Sequence, residues 1–300
     1  MWTGHVCAEV GAVVRHRSLR LAHRAQTLLE WRIPVRSVHG WINARSSVTI
    51  GYLSGVSVIW CDKLASVPSV GIAFEPFYQS TSGMIDALSP LLSKWANKKP
   101  REITIDKVTP FSFEVQVSDG FSYGADHSKV FVDFKHRVKV SPGSGGGPVL
   151  QILSKPRPYS ELLKDAEARL IEIYEAIDPT GKRPVNQIGI VSSTQALIEE
   201  IPPGIMELYY HLGKPWKNKI HDLNVRITAE VSQSEGSIDR CIHQLTIPAE
   251  EGEPVLLNLD YQRTFATSAN LKSSAISERL PGVSKRAREY FEALGAGEIL

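Results

Sequence analysis

Three hundred residues, 42% hydrophobic and 22% charged with a formal net charge of +2, hold enough apolar material for one large domain or two modest ones and have the balance of an ordinary globular chain, for which disorder is not the default. The longest apolar stretch, from Gly51 to Cys61, falls short of the roughly 20 residues that a membrane-spanning helix needs, so no transmembrane segment is expected. Three widely separated cysteines, Cys7, Cys61 and Cys241, suit neither a disulfide framework nor a zinc knuckle, and the expected setting is a reducing, cytoplasmic one.

The charge is unevenly placed. Residues 1–50 hold seven arginines (Arg15, Arg17, Arg20, Arg24, Arg32, Arg36 and Arg45), no lysine, and only Glu9 and Glu30, a local charge of +5, so that the total of +2 leaves −3 for the rest. The arginines follow the apolar "VCAEVGAVV" instead of preceding it, which argues against a secretory signal. Residues 1–65 read as a basic extension, disordered or a misassigned start. An organelle presequence and a basic arm for nucleic acid are the other readings of "RHRSLRLAHRAQTLLEW".

From Val67 onward strands alternate with amphipathic helices. "VPSVGIAFEPF" is strand-like, and Met84, Leu88, Leu91, Leu92 and Trp95 then fall on one helical face, with Pro90 expected to kink or restart the helix and Ser89 available as its cap. Three strands follow, "REITIDKV", "FSFEVQV" and "HSKVFVDFKHRVKV", the last two separated by a turn at Asp119-Gly120. A long helix, "YSELLKDAEARLIEIYEAI", carries the stripe Tyr159, Leu162, Leu163, Ala166, Leu170, Ile173 and Ile177.

The order then repeats. "PVNQIGIVSS" is a strand, and "PPGIMELYYHL" opens a helix with Ile205, Leu208, Tyr209 and Leu212 on one face. "NVRITAEV", "RCIHQLTI" and "PVLLNLDYQRTF" are strands, and Val283, Ala287, Tyr290, Phe291 and Leu294 stripe a closing helix. The predicted fold is α+β, with two β-α-β-β-β-α lobes over residues 66–180 and 181–300. Antiparallel sheets with helices on one face would pair around a pseudo-twofold axis, leaving a groove between them. Val67 to Val185 and Arg101 to Lys219 are both offsets of 118, and Pro158 to Leu280 is 122, which leaves internal duplication open beside ordinary α+β patterning.

Several chemistries are weighed and set aside. "SPGSGGGPVL" is one glycine away from the nucleophile loop of trypsin-like proteases, but Gly145 stands where the serine belongs and Ser144 is displaced by one, which the strained turn and its oxyanion donors do not tolerate. A phosphate loop would lead into a helix with a Lys or Ser at its start, whereas Gly147 leads into Pro148 and "VLQIL"; the glycines read as the tip of a long connecting hairpin. Cys241 and His243 share a strand face, and His221-Asp222 and Asp126-His127 are adjacent pairs, without the four converging ligands of a metal site. No catalytic residue, metal or cofactor is assigned.

In "FKHRVKV" the cations Lys135, Arg137 and Lys139 alternate with Phe134, Val138 and Val140, so all three would project from one face of a strand. They are the candidate anion or nucleic-acid residues, with Lys285, Arg286 and Arg288 as an extension, although a solvated strand face explains them completely.

"RPVNQIGIVSS", "IPPGIMELYYHLGKPW", "HDLNVRITAEV" and "EPVLLNLDYQRT", followed by a final helix, resemble a sporadically distributed family of uncharacterised bacterial proteins, the likeness extending back to about Val67. The resemblance implies a bacterial cytoplasmic α+β protein and transfers no catalytic residue. The element order is also similar to the duplicated sheet-and-helix modules of TATA-binding and effector-binding domains, an analogy of fold only. The expected function is a non-enzymatic module binding a small ligand or a protein partner, with no membrane partner. A nucleic-acid-associated protein using the basic strand is the alternative, and an enzyme of unknown class the third reading.

Overall fold

The computed structural model describes residues 59–74, 81–97, 103–136, 138–142, 148–152, 156–213, 223–233, 236–247, 254–269 and 273–298. A short helix α1 (Trp60–Lys63) precedes strand β1 (Val67–Phe74) and helix α2 (Thr81–Asn97). Strands β2 (Ile103–Val108), β3 (Ser112–Val117), β4 (Phe121–Asp126) and β5 (Lys129–Phe134) follow as a meander, then a hairpin of β6 (Val138–Pro142) and β7 (Pro148–Ile152) and helix α3 (Tyr159–Ile177). The second half contains β8 (Val185–Ala196), a 3₁₀ turn, α4 (Pro203–Gly213), β9 (Leu223–Ser232), β10 (Ile238–Ile247), β11 (Val255–Ala269) and α5 (Ser273–Gly295).

Nine strands form a single antiparallel sheet in the order β2-β3-β4-β5-β1-β8-β11-β10-β9, and β6 and β7 pair separately. The expectation of two sheets around a groove is therefore corrected: β1 and β8 are hydrogen-bonded neighbours from Val67↔Ser193 to Phe74↔Val185, so the seam between the halves is a ladder. An unpaired inner edge on each half would leave a row of backbone N–H and C=O groups without partners, and pairing β1 with β8 satisfies both rows at once. Pro68, which lacks an N–H, sits one residue before the pairing of β1 with β5 begins at Ser69.

The first half also holds more strands than expected. The expected turn at Asp119-Gly120 is present, but β4 follows it in a stretch read as no strand, and the expected strand over "HSKVFVDFKHRVKV" is divided into β5 and β6. Within β4, position 124 is glycine because the Phe131 ring of the neighbouring strand lies where a Cβ would be. α2 continues through Pro90, which is solvent-exposed, and α5 runs through the exposed Pro281.

Helix packing follows the stripes read from sequence. Tyr159, Leu162, Leu163, Ala166, Leu170, Ile173 and Ile177 are all buried, and α3 lies across β1 and β5 while α5 lies across β8 and β11. Each of the five leucine and isoleucine side chains of the α3 stripe contributes about 1.5–3 kcal/mol on burial. Arg169 of α3 reaches down to β4, where it donates to the Tyr123 hydroxyl and, at 2.6 Å, to Asp119, with its guanidinium 4.0 Å from the Phe121 ring centre. Trp95 of α2 stacks on Tyr123 with ring centres 4.4 Å apart.

The packed body reaches back to Ile59, inside the extension expected to end at residue 65. Cys61 is wholly buried, Trp60 Nε1 donates to the Phe291 carbonyl at 2.6 Å, and Asp62 accepts from Ser160 N at 2.7 Å and Ser160 Oγ at 3.0 Å. Asp62 thus caps the first turn of α3 from another element, where Pro158 supplies no side-chain cap. No described helix is long and apolar enough to cross a membrane.

Candidate interaction surface

Period-two alternation gives the sheet two unlike faces. One row running across five strands, Val132, Val70, Ile190, Tyr261 and Cys241, is buried beneath the helices. The neighbouring residues on the same strands, Phe131, Gly71, Gly189, Gln262 and Arg240, face the side on which no described helix packs.

The middle of this helix-free face is floored by small residues. Gly71 lies opposite Gly189, with Ser69, Ala73 and Ser193 beside them, and Phe131 and Gln262 form its two walls. A Cβ placed on Gly189 would meet nothing closer than Gln262 Cγ at 3.8 Å, so the floor at that point opens into space.

Two carboxylates stand on the next row. Asp133 is opposite Ser69, Ser69 is opposite Val191, and Val191 is opposite Asp260, which sets the two carboxylates three strand spacings apart, roughly 14 Å. Burial raises the pKa of Asp133, opposed by the hydrogen bond from Ser69 and by Lys135 and Lys129. Burial likewise raises Asp260, opposed by the Gln262 amide at 2.7 Å and by Arg226 and Arg240. Beside Asp133 in the ladder, the Ser122 hydroxyl is buried with no partner among the described residues. The arrangement suits a ligand that brings hydrogen-bond donors and positive charge.

Three cations of this face are engaged by neighbouring acids. Lys135 pairs with Glu114 at 3.1 Å, Lys129 with Asp126 at 4.0 Å, and Arg240 with Glu230 at 2.7 Å. The basic strand read from sequence is not one strand: Lys135 follows the end of β5, Arg137 lies outside the described residues, and Lys139 belongs to β6 in the separate hairpin. The Lys135 N–H still donates to the Gly120 carbonyl, at 2.9 Å, and the chain leaves the large sheet beyond it. On α5, Lys285 and Arg286 both approach Glu289, at 3.9 and 3.0 Å, and Arg288 is exposed.

The other chemical candidates are placed as follows. Ser144 and Gly145 lie outside the described residues, between β6 and β7, whose antiparallel register from Val138↔Ile152 to Pro142↔Pro148 is that of a hairpin. Cys241 and His243 share the helix-covered face of β10. Burial pushes both the Cys61 and Cys241 thiols up to about 12, which removes the thiolate that nucleophilic chemistry needs. His243 is wholly buried, its Nδ1 hydrogen-bonded to the Tyr209 hydroxyl at 2.9 Å, and burial lowers its pKa. Asp126 accepts from Ser128 N, Ser128 Oγ and Lys129 N at 2.8–2.9 Å, a turn-forming role, and His127 is exposed. His221 and Asp222 lie outside the described residues. Among the described residues no three His, Cys, Asp or Glu side chains gather as a metal site would require.

Asp133 and Asp260 escaped the reading of the sequence because a lone acid in "VFVDF" or "LNLDY" is what any half-solvated strand shows. The better signal was a repeat: "VPSVGI" from Val67 and "VNQIGI" from Val185 share V-x-x-[V/I]-G-I, and their glycines are the pair at the centre of the floor. No family model matches the chain, and no curated protein is similar to it in sequence.

Proposed function

We propose that this protein is a non-enzymatic protein-interaction module that receives a basic segment of a partner polypeptide on the helix-free face of its sheet. The observation that carries the reading is the pair of half-buried carboxylates, Asp133 and Asp260, flanking a floor of small residues. A carboxylate held short of compensation gains most from an incoming guanidinium or ammonium, and charge-assisted hydrogen bonds are the strong ones. Lys129, Lys135 and Arg240 on the same face are each tied to a neighbouring acid, which lowers the positive charge they offer a phosphate backbone. The resemblance to a bacterial family supports a bacterial cytoplasmic setting.

The two halves support a reading as an internal duplication. β1 and β8 pair about Gly71 and Gly189, which are 118 positions apart, and each is flanked by the last strand of its own meander, β5 or β11. The charges do not repeat with the strands. The position across the axis from Asp133 is Thr264, opposite Gln187, and that across from Asp260 is Lys129, opposite Ala73. Divergence on a shared frame would give the face a direction, so that a bound segment lies one way along it.

The test is a titration of the full chain with an arginine-rich peptide, an acidic peptide and a duplex oligonucleotide. Binding of the basic peptide alone is expected, weakened at least about tenfold when Asp133 and Asp260 are both changed to Asn. No binding, or equal binding by the variant, overturns the proposal. Salt-sensitive retention of the oligonucleotide that is lost on changing Lys135 and Lys139 to Gln would put the nucleic-acid alternative in its place.

A further inference from the structure

The sheet ends in two strands of opposite character. β2 is six residues long and exposed along most of its length, and its register with β3 shifts between Ile105 and Lys107, where Asp106 and Lys107 place charges. A short, bulged, charged strand is how proteins blunt a sheet edge. β9 is neither short nor bulged, and its charges are one of each sign, Arg226 and Glu230. Its ten residues pair with β10 without a register shift from Leu223↔Ile247 to Ser232↔Ile238, and among the described residues no strand pairs with its outer side. Leu223, Val225, Ile227, Ala229 and Val231 form an apolar, half-buried face, and every intervening residue is polar and exposed.

We infer that the occupant of this edge is a second copy of the chain, its β9 running antiparallel to the first across a twofold axis at Thr228. The argument is the charge pattern of the strand. With the axis on Thr228, Arg226 faces Glu230 of the other copy and Glu230 faces its Arg226, while Asn224 meets Ser232, Val225 meets Val231 and Ile227 meets Ala229. Moving the axis to Arg226 or to Glu230 places like charges directly opposite each other, and moving it to Ile227 or Ala229 leaves both charges facing neutral residues. The register at Thr228 is thus selected by attraction and guarded by repulsion.

The ion pair on the existing ladder extends into the new one. Glu230 accepts from Arg240 of β10, with Nε at 2.8 Å and Nη2 at 2.7 Å, and would stand between that guanidinium and Arg226 of the other copy. Nine strands from each copy then run on as one sheet, and the contact is closed because the same strand serves both sides.

Sedimentation of the full chain over a range of concentrations tests this. The wild type is expected to reach the mass of two copies, and Arg226→Glu and Glu230→Arg are each expected to weaken self-association by roughly tenfold or more, since each sets like charges opposite one another twice per dimer. Mixing the two variants gives a pair in which every contact at these positions is again between opposite charges, so the dimer returns only in the mixture. That restoration separates a lost contact from a lost fold. A wild type that stays a single copy, a variant that still dimerises alone, or a mixture that fails to associate each overturns the inference.

Discussion

Val132, Val70, Ile190 and Tyr261 lie in one row of the sheet, and Phe131, Gly71, Gly189 and Gln262 lie one residue along the same four strands. The first row is sealed under α3 and α5; the second has its two smallest residues in the middle and its two largest at the sides. The backbone ladder is common to both, so the difference is written entirely in side chains. Close packing is the rule for the covered face, where a missing methylene leaves a cavity. On the other face the small residues remove little packing and create room instead. The sheet is a scaffold on one side and, on our reading, a receptor on the other.

The contrast can be broken most severely from the covered side. Leu170 is wholly buried between α3 and the sheet, and Leu170→Ala is expected to cost about 2–5 kcal/mol, while Ser193→Ala on the other face stays within about 0.5 kcal/mol. Denaturant unfolding of both variants measures the pair. Similar losses at the two positions would mean that the helix-free face is packed like the covered one.

A smaller effect, with a sign that depends on pH, comes from the carboxylates. Burial raises Asp133 and Asp260 above the ordinary range, so between the unfolded and folded pKa values the native state holds more protons than the unfolded chain. Stability then falls as pH rises through that window, and the destabilisation is fully present above the raised values. Asp133→Asn and Asp260→Asn should therefore melt higher than the wild type near neutrality, with the gap closing as pH falls below the ordinary carboxylate range. Melting curves between about pH 4 and pH 8 decide it, and a variant that melts lower at neutral pH would mark these acids as structural.

The smallest effect is the sharpest comparison. Gly189→Ala places a methyl where only Gln262 Cγ and the Tyr261 carbonyl approach, at 3.8 and 3.9 Å, and the residue is not in a positive-φ conformation. A gain of about 0.4–1 kcal/mol is expected from the less flexible unfolded chain, whereas Gly189→Leu should leave the fold intact and abolish binding of the basic peptide. Loss of stability with retained binding would reverse the assignment of the two faces.

Where a residue's role depends on burial alone, it was legible in the sequence. The α3 stripe from Tyr159 to Ile177 and the strands "NVRITAEV", "RCIHQLTI" and "PVLLNLDYQRTF" stand where apolar periodicity puts them. β4 was hidden because "FSYGAD" is short and carries a glycine and no apolar alternation, and the reason for Gly124 is the ring of its cross-strand partner Phe131. The union of the halves through β1 and β8 was hidden for a related reason: pairing between strands far apart in sequence leaves no local trace. Asp62 shows the same limit, since a cap that acts on Ser160 from another helix breaks no pattern in its own segment. The candidate face combines both obstacles, because its floor and its carboxylates come from four strands spread across the chain.

The β1–β8 ladder also has a history within each molecule. In the finished sheet β1 lies between β5 and β8, yet during synthesis β2 to β5 emerge well before β8 does. Until then β1 is the boundary of a partial sheet, with its β8-facing amides and carbonyls unpaired, and long-range pairing of this kind is slow to form. A second nascent chain offers the same exposed strand, so the residues that unite the halves in one molecule could join two molecules if the second half is delayed. Aggregation during refolding should accordingly track the wait for β8, and supplying residues 181–300 in excess should suppress it.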